Sequence, residues 1–483
     1  MDSESLDQLF NDLFQTWSKV KPSQLLPLAP SGSKRIYYRA VSDTKSAICA
    51  FNTDERENKA FTYLSEHFKK AGIPVPQIYG TGQNSQSYLQ EDLGSVSLYS
   101  LLDSQTEKLS PELLRLYEQV VEQLARIQIK GHEDLDYNKC LGPTAFDKQA
   151  ILWDLNLFKY SFLKMANEPF DEALLEKDFH TFAGYLLEAP QDYFMFRDFQ
   201  SRNIMIKEGK PFFIDYQGGR RGALQYDLAS LLFQAKANLS PETRTHLLEV
   251  YLGAAGKLTP IDKVNFKKYY YAYAMVRSMQ VLGAYGHRGL YERKKHFLES
   301  IPFAIKNITW LANQLDTDLE IPELRKIWKS LSENKSFSPP NKNFGKKSPL
   351  RIDIKSFSYK HGIPETSSSH GGGFVFDCRF IHNPGRYEPY KKLTGRDESV
   401  INFLHQHSTM NTFLNDVRHI VEPAVENYLE REFDSLSVYF GCTGGQHRSV
   451  YAADQLANHL HDRYGVRVQL LHRERGWEEE ELG

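Results

Sequence analysis

The stretch FRDFQSRNIMIKEGKPFFIDYQ, residues 196–217, constrains the chain more than any other. Asp198 and Asn203 stand with four residues between them, and Asp215 follows twelve residues after Asn203. Between the last two, the pattern NIMIK, EG, KPFFID predicts a β-hairpin that turns at Glu208-Gly209 with apolar strands on either side. A two-residue loop there pairs Lys207 with Lys210 and, counting outward, Asn203 with Ile214. Facing residues of an antiparallel ladder lie about 5 Å apart, so Asn203 and Asp215 are expected to converge from opposite strands. One carboxamide and one carboxylate at the mouth of a hairpin suit Mg²⁺, which takes few protein oxygens and completes its shell with water and phosphate. Asp198, on the preceding loop, is then placed to take or orient a proton on an attacking hydroxyl, as the Asp of R-D-x-x-x-x-N loops does in phosphoryl transfer. A turn-capping Asp and a strand-ending Asp are the plain alternative. Two Asp and one Asn at this spacing around one hairpin favour the phosphoryl-transfer site.

At 483 residues the chain exceeds one ordinary core, and two or three domains are expected. Lys+Arg 59 against Asp+Glu 61 gives no overall field that would draw nucleic acid or an anionic membrane. No apolar run approaches the roughly 20 residues of a membrane-spanning helix. The acidic start MDSESLDQLF is unlike an export signal, and Cys49, Cys140, Cys378 and Cys442 form no CxxC pair, so a reducing cytoplasm is expected.

Residues 5–20 read as a short amphipathic helix, SAICAF (46–51) as a buried strand, and about 55–70 as a helix. The turn Ser31, Gly32, Ser33 between two strand-like runs could offer backbone N–H groups to nucleotide phosphates, or be only a turn. SYLQEDLG (87–94) reads as a strand leading into a hinge, where backbone groups of Gln90, Glu91 and Leu93 would meet the base of a nucleotide. From about 110 to 330 the pattern is mainly helical, and ILWDLNLFKYSFLKM puts Ile151, Leu155, Phe158 and Phe162 on one face. Arg220 and Arg221, in a Gly-rich turn, are candidate substrate contacts, with solvated arginines as the alternative. Asp227, near a helix start, reads as a cap.

In LSENKSFSPPNKNFGKKSPL, residues 331–350, Ser, Asn, Lys and Pro replace the apolar periodicity, which predicts a linker. Beyond it, strands RIDIKSFSY, GGFVFDCRF, LSVYFG and VRVQLL alternate with helices at about 398–431 and 449–464, a small α/β domain with some parallel pairing. Here a buried strand runs into Cys442, Thr443, Gly444, Gly445, Gln446, His447 and Arg448, and a helix opens near Ser449. A Gly-rich loop between strand and helix directs backbone N–H groups and the positive helix end at one point, favouring an anion. Arg448 adds a fork-shaped donor for phosphate. The Cys-to-Arg spacing also fits the cradle of cysteine phosphatases, although no upstream Asp is identified as the acid. A tight turn, an anion or sugar-phosphate site and a thiol phosphatase all stay open at this point.

Through FRDFQSRNIM, FIDYQ, YDLASLL and RSMQVLGAYG with FLESIPFAI, residues from about 5 to 325 resemble the aminoglycoside phosphotransferase-like kinases. Within them the chain looks most like the anomeric kinases of N-acetylmuramate and N-acetylglucosamine. The resemblance implies a bilobal protein-kinase-like fold over 1–330, with a small lobe to about 95 and a large lobe from about 96. It implies Asp198 as catalytic base, Asn203 and Asp215 as Mg²⁺ ligands, ATP at the 31–33 loop and the hinge, and Arg197, Arg220 and Arg221 as possible substrate contacts. SAICAF has no Lys where many relatives place one to hold the α- and β-phosphates, and Phe196 stands where His is usual. Through FSYKHGIP, FVFDCRF, TGRD, GCTGGQHRSV and LHRE, residues 352–475 resemble the C-terminal domain of the RNase adapter protein RapZ. That implies, for the 351–483 domain, a sugar-phosphate pocket lined by Asp377, Arg379 and the 442–448 loop. The acidic tail WEEEELG speaks against RNA, since phosphate contacts need Lys and Arg. The expectation is an ATP- and Mg²⁺-dependent sugar kinase with a sugar-phosphate-binding domain and no membrane partner. A kinase of an aminoglycoside or choline, and a regulatory or RNA-adapter protein, are the alternatives.

Overall fold

The computed structural model describes residues 3–28, 35–82, 85–102, 109–292, 294–334, 337, 350–365 and 372–480. The chain divides into two compact units, residues 1–337 and 338–483.

In the first unit, helix α1 (Ser3–Ser18) is followed by β1 (Gln24–Pro27), β2 (Ile36–Val41), β3 (Ser46–Phe51), helix α2 (Glu55–Lys70), β4 (Ile78–Thr81) and β5 (Ser87–Glu91). The strands form an antiparallel sheet in the order β1-β2-β3-β5-β4. α1 lays Leu6, Phe10 and Phe14 against Ala40, Ala47, Cys49 and Leu89 of that sheet, so the apolar face of the helix is its docking face. α2 starts where the Asp54 carboxylate accepts the Arg56 N–H, and it packs Phe61, Leu64 and Phe68 inward.

The remainder of this unit is helical around two small ribbons. α3 (Pro111–Ile129), α4 (Lys148–Phe158) and α5 (Glu172–Leu186) precede β6 (Tyr193–Met195), β7 (Ile204–Lys207), β8 (Lys210–Phe213) and β9 (Arg220–Gly222). α6 (Gln225–Leu232), α7 (Pro241–Ala255), α8 (Lys263–Tyr285), α9 (Lys295–Leu298), α10 (Ile301–Ala312) and α11 (Pro322–Glu333) complete it. β7 pairs with β8 and β6 with β9, both antiparallel. Ile151, Leu155, Phe158 and Phe162 are all fully buried, Phe158 just before and Phe162 within the π-type turn at Lys159–Leu163 into which α4 widens. α11 runs to Glu333, inside the stretch expected to be linker, because Leu324, Ile327, Trp328 and Leu331 keep an apolar face buried. Residues 335, 336 and 338–349 of that stretch lie outside the described residues.

The second unit holds β10 (Arg351–Ser358), β11 (Gly373–Asp377), α12 (Glu398–His407), α13 (Met410–Glu430), β12 (Ser435–Cys442), α14 (Arg448–Tyr464), β13 (Arg467–His472) and β14 (Trp477–Glu480). The sheet order is β11-β12-β10-β13-β14, parallel except for the last pair. β12 is buried along its whole length, as a central parallel strand covered on both faces should be. The helix expected over 398–431 is two helices, broken where the Ser408 hydroxyl donates to the Leu404 carbonyl and accepts the Met410 N–H. Among the described residues no helix is long and apolar enough to cross a membrane.

Candidate functional site

The hairpin forms in the register the spacing predicts, with Lys207 opposite Lys210 and Ile204 opposite Phe213. One step further out, the Ile214 N–H donates to the Asn203 carbonyl over 3.0 Å. This brings the Asn203 side chain to both aspartates. Its amide donates to the Asp198 carbonyl over 2.9 Å and lies 3.4 Å from Asp215 Oδ2. Asn203 is buried, whereas Asp198 and Asp215 are exposed. Arg197 (φ 78°) and Asp215 (φ 72°) both sit in the left-handed region. Residues other than glycine seldom adopt it, and they persist there where their surroundings enforce it.

Asp227 does much of that enforcing. It is fully buried on α6 and accepts the Phe196 N–H at 2.7 Å and the Arg197 N–H at 2.9 Å, with a third bond from Gln128 at 3.1 Å. Burial pushes its carboxyl up to about 7, against the pull of those donors. It is not a helix cap: α6 follows Leu224, which makes no side-chain cap bond. Arg197 is held as firmly. Its guanidinium forks onto Asp154 at 2.7 and 2.5 Å, donates to the Tyr226 hydroxyl, and stacks on the rings of Phe146 and Tyr226. A side chain so engaged is an anchor of the loop rather than an open substrate contact.

Arg277, on α8, was not singled out by the sequence. It is buried, donates to the Ser230 hydroxyl at 3.0 Å, and brings Nη2 to 3.6 Å from Asp198 Oδ1. Arg220 is half-buried with its guanidinium on the Gly218 carbonyl, and Arg221 is exposed over the Tyr137 ring. Glu91, at the end of β5, accepts from Lys207 of β7 at 2.7 Å, and the Leu98 and Ile206 N–H groups tie residues 96–98 to the hairpin. Gln90 lies on β5, and Leu93 is buried just beyond it. Ser31, Gly32 and Ser33 lie outside the described residues.

In the second unit, β12 delivers Cys442 to the start of α14. The Cys442 thiol receives the Gly445 N–H at 3.2 Å and lies 3.1 Å from the Ser449 hydroxyl. Burial opposes its ionisation, yet the bonds from Ser449 and the charge of Arg448 bring it below the usual thiol range. Arg448, expected as an open fork, is 3 % exposed and donates to the carbonyls of Arg379 and Ile381, each at 2.8 Å. It therefore ties the loop to the end of β11, and only its Nη2 reaches toward the Thr443 hydroxyl, at 3.5 Å. Gln446 donates to the carbonyls of Lys391 and Leu393, and His447 is buried against the Tyr390 carbonyl. The exposed surface of the loop is Thr443 and Gly444, beside the exposed Asp377–Arg379 ion pair and with Arg379 over the Tyr359 ring.

Residues 25–263 match the model of the phosphotransferase enzyme family, and residues 350–476 match that of the RapZ C-terminal domain. The chain joins a phosphotransferase-family domain to a RapZ C-terminal domain. Among curated proteins it is 34% identical over 161 residues to a nucleotide-binding protein of Endomicrobium trichonymphae, covering 33% of this chain and 51% of that one. It is 39% identical over 124 residues to the RNase adapter protein RapZ of Yersinia pseudotuberculosis, covering 26% and 42%. The chain thus spans about half or less of the length of these relatives. Among solved structures it is similar to choline kinase from Cryptosporidium parvum, at 14% identity and TM-score 0.47 over 68% of this chain and 100% of that one. Choline kinase LicA from Streptococcus pneumoniae is similar at 15% identity and TM-score 0.43, over 64% and 99%.

The phosphotransferase-family domain also contains a pair that its strand sequence does not announce. β3 carries no Lys, but Glu57 of α2 is ion-paired with Arg35, the residue just before β2. Glu57 further accepts from Asn52 at 2.6 Å and from Gln217 at 3.3 Å. Behind them Tyr216 is fully buried, stacked on Phe61 and edge-on to Phe68 and Phe196, so one aromatic cluster joins α2 to the 196–217 stretch.

Proposed function

We propose that the first unit transfers the γ-phosphoryl group of ATP to a hydroxyl of an amino sugar, the anomeric hydroxyl of N-acetylmuramate or N-acetylglucosamine being the favoured acceptor. The observation that carries this reading is the convergence of Asp198, Asn203 and Asp215 on a hairpin whose approach loop is fixed by Asp227 and Asp154. Asp198 is exposed at the mouth of the site, where its carboxylate accepts the proton of the attacking hydroxyl as the P–O bond forms. Arg277, close to that carboxylate, orients it and adds positive charge where the acceptor binds. A cationic acceptor such as choline or an aminoglycoside is disfavoured by this arginine and by Arg220.

Asn203 and Asp215 would hold Mg²⁺. The donor set fits: hard oxygen donors from one carboxylate and one carboxamide, with the carboxylate exposed. Among the described residues there is no cluster of three or more His, Cys, Asp or Glu that could cage a metal. A cation here would thus depend on phosphate oxygens as well, as nucleotide-bound Mg²⁺ does. When bound, Mg²⁺ neutralises charge on the transferring phosphoryl group. Gln90, Glu91 and Leu93 are proposed to meet the base of the nucleotide, and Ser31, Gly32 and Ser33 its phosphates.

For the second unit we infer a sugar-phosphate site at Thr443, Gly444, Asp377 and Arg379, with Cys442, Gly445, Gln446, His447 and Arg448 shaping the loop. The engagement of Arg448 by two carbonyls favours a binding loop over a thiol phosphatase, whose arginine must grip the transferring phosphate.

The test is ATP turnover with Mg²⁺ against free sugars, amino sugars, choline and aminoglycosides, the product assigned by phosphorus NMR. An anomeric phosphate that disappears in Asp198→Asn, with ATP binding retained, is expected. Turnover undiminished by that substitution would overturn the assignment of the base.

A further inference from the structure

Kinase-like sites hold nucleotide phosphates with a charge that must itself be fixed in place, and β3 of this chain, SAICAF, provides no lysine for the purpose. A buried cation nevertheless stands beside the site. Arg35 is 5 % exposed, donates to the Tyr37 hydroxyl at 3.0 Å and is ion-paired with Glu57 through Nη2. The same Glu57 oxygen that meets Arg35 also accepts the Gln217 amide at 3.3 Å, and that amide donates to Asp215 Oδ1 at 2.9 Å. Gln217 is itself buried. Four side chains from the start of β2, from α2 and from the end of the 196–217 stretch therefore form one unbroken chain of polar contacts. It ends on the carboxylate assigned above to the metal.

The electrostatics of that chain have one stable sense. Gln217 Nε2 bridges two carboxylates, Glu57 and Asp215, whose like charges oppose the arrangement unless one of them is balanced. Arg35 balances Glu57. With Glu57 neutralised in place, the amide keeps its nitrogen toward Asp215 and leaves Asp215 Oδ2 on the side of Asn203. Remove the guanidinium and the repulsion between the two carboxylates is unbalanced, so Glu57 turns away. Gln217 then loses the partner that holds its amide in place against Asp215 Oδ1.

We propose that Arg35 is the positioning residue of the Asp215 carboxylate, acting through Glu57 and Gln217, so that the cation paired with Glu57 comes from just before β2 and not from β3. The inference rests on the assignment of Asp215 as a metal ligand. It concerns the metal-bound nucleotide and not the nucleotide alone, because the relay ends on the carboxylate assigned to the metal.

The experiment is equilibrium binding of ATP to the full chain by calorimetry, once with Mg²⁺ and once with EDTA. Residues that orient a metal ligand typically change metal affinity by about ten- to a hundredfold, so Arg35→Met and Gln217→Leu should each weaken Mg-ATP binding by about that much while shifting metal-free ATP binding by less than about threefold. Arg35→Lys should restore Mg-ATP binding to within about threefold of the parent, since it returns a cation to Glu57. Gln217→Leu keeps the Arg35–Glu57 pair intact and tests the middle link even if Arg35→Met fails to fold. Equal losses with and without Mg²⁺ would overturn the relay, as would an unchanged Gln217→Leu beside a weakened Asp215→Asn. If Asp215→Asn itself shows no Mg²⁺-specific loss, the metal assignment falls and takes the relay with it.

Discussion

Asp227 offers a test in which two physical effects pull in opposite directions. Three N–H donors favour its ionised form, while complete burial favours the neutral one, and burial prevails, raising the carboxyl from its ordinary 3.8 to about 7. An acid whose folded value lies above its unfolded value gives stability that is full below about pH 4 and is lost as the pH rises through 7. Between pH 5 and pH 7 the unfolded chain has released this proton and the folded chain has not. At about 1.4 kcal/mol per pH unit, the wild type should lose about 3 kcal/mol relative to Asp227→Asn, which has no proton to lose. At pH 5 the Asn variant should be the less stable of the two, because its single carbonyl cannot serve both the Phe196 and Arg197 N–H groups, and a buried N–H left unpaired costs about 1–3 kcal/mol. Urea unfolding followed by tryptophan fluorescence at pH 5, 6.5 and 8 reads this out. Trp17, Trp153, Trp310 and Trp328 lie in the first unit and Trp477 alone in the second. The stability gap between wild type and variant should narrow as pH rises. A gap that widens with pH would refute the reasoning, since it would mean that the donors outweigh burial and hold Asp227 ionised throughout.

Asp154→Asn removes the partner of the buried Arg197 guanidinium and should cost about 3–5 kcal/mol, seen as a lower melting temperature together with reduced turnover as the Arg197 backbone relaxes. Gly286→Ala would put a Cβ 1.9 Å from the Ser161 carbonyl oxygen, where α8 meets the π-type turn after α4, and should destabilise by about 1–3 kcal/mol in thermal melts. In the second unit, Gly444→Ala meets no atom within 4 Å and should fold normally but weaken the sugar-phosphate binding proposed for this loop, measured by calorimetry. Gly445→Ala, at φ +61° with its Cβ 2.3 Å from Glu474 Cγ, should instead lower the melting temperature.

What could be read from the residues was local. The hairpin of β7 and β8 was legible because its turn, its strand lengths and the spacing of Asn203 and Asp215 all lie within one short stretch. α2 was legible because Asp54 caps it and its apolar positions repeat at helical spacing. Arg35, Glu57 and Gln217 were not: they are far apart in sequence, and each alone is an ordinary polar residue. Asp227 was misjudged for a related reason, since a carboxylate near a helix start usually caps that helix, whereas this one serves amides thirty residues earlier. Arg448 was identified, but its two carbonyl partners arrive from another segment, after β11, so its orientation could not be foreseen.

The left-handed backbone at Arg197 and Asp215 sets a price on how this protein can be improved. Glycine would recover about 1–2 kcal/mol of backbone strain at either. At 197 the loss of the Asp154 pair outweighs that gain, but at 215, among the described residues, no such pair opposes it. A directed-evolution campaign that rewards heat resistance alone would therefore be drawn to position 215 and would discard the carboxylate proposed for the metal. Selection for durability here has to be run with turnover in the screen, or with that codon held fixed.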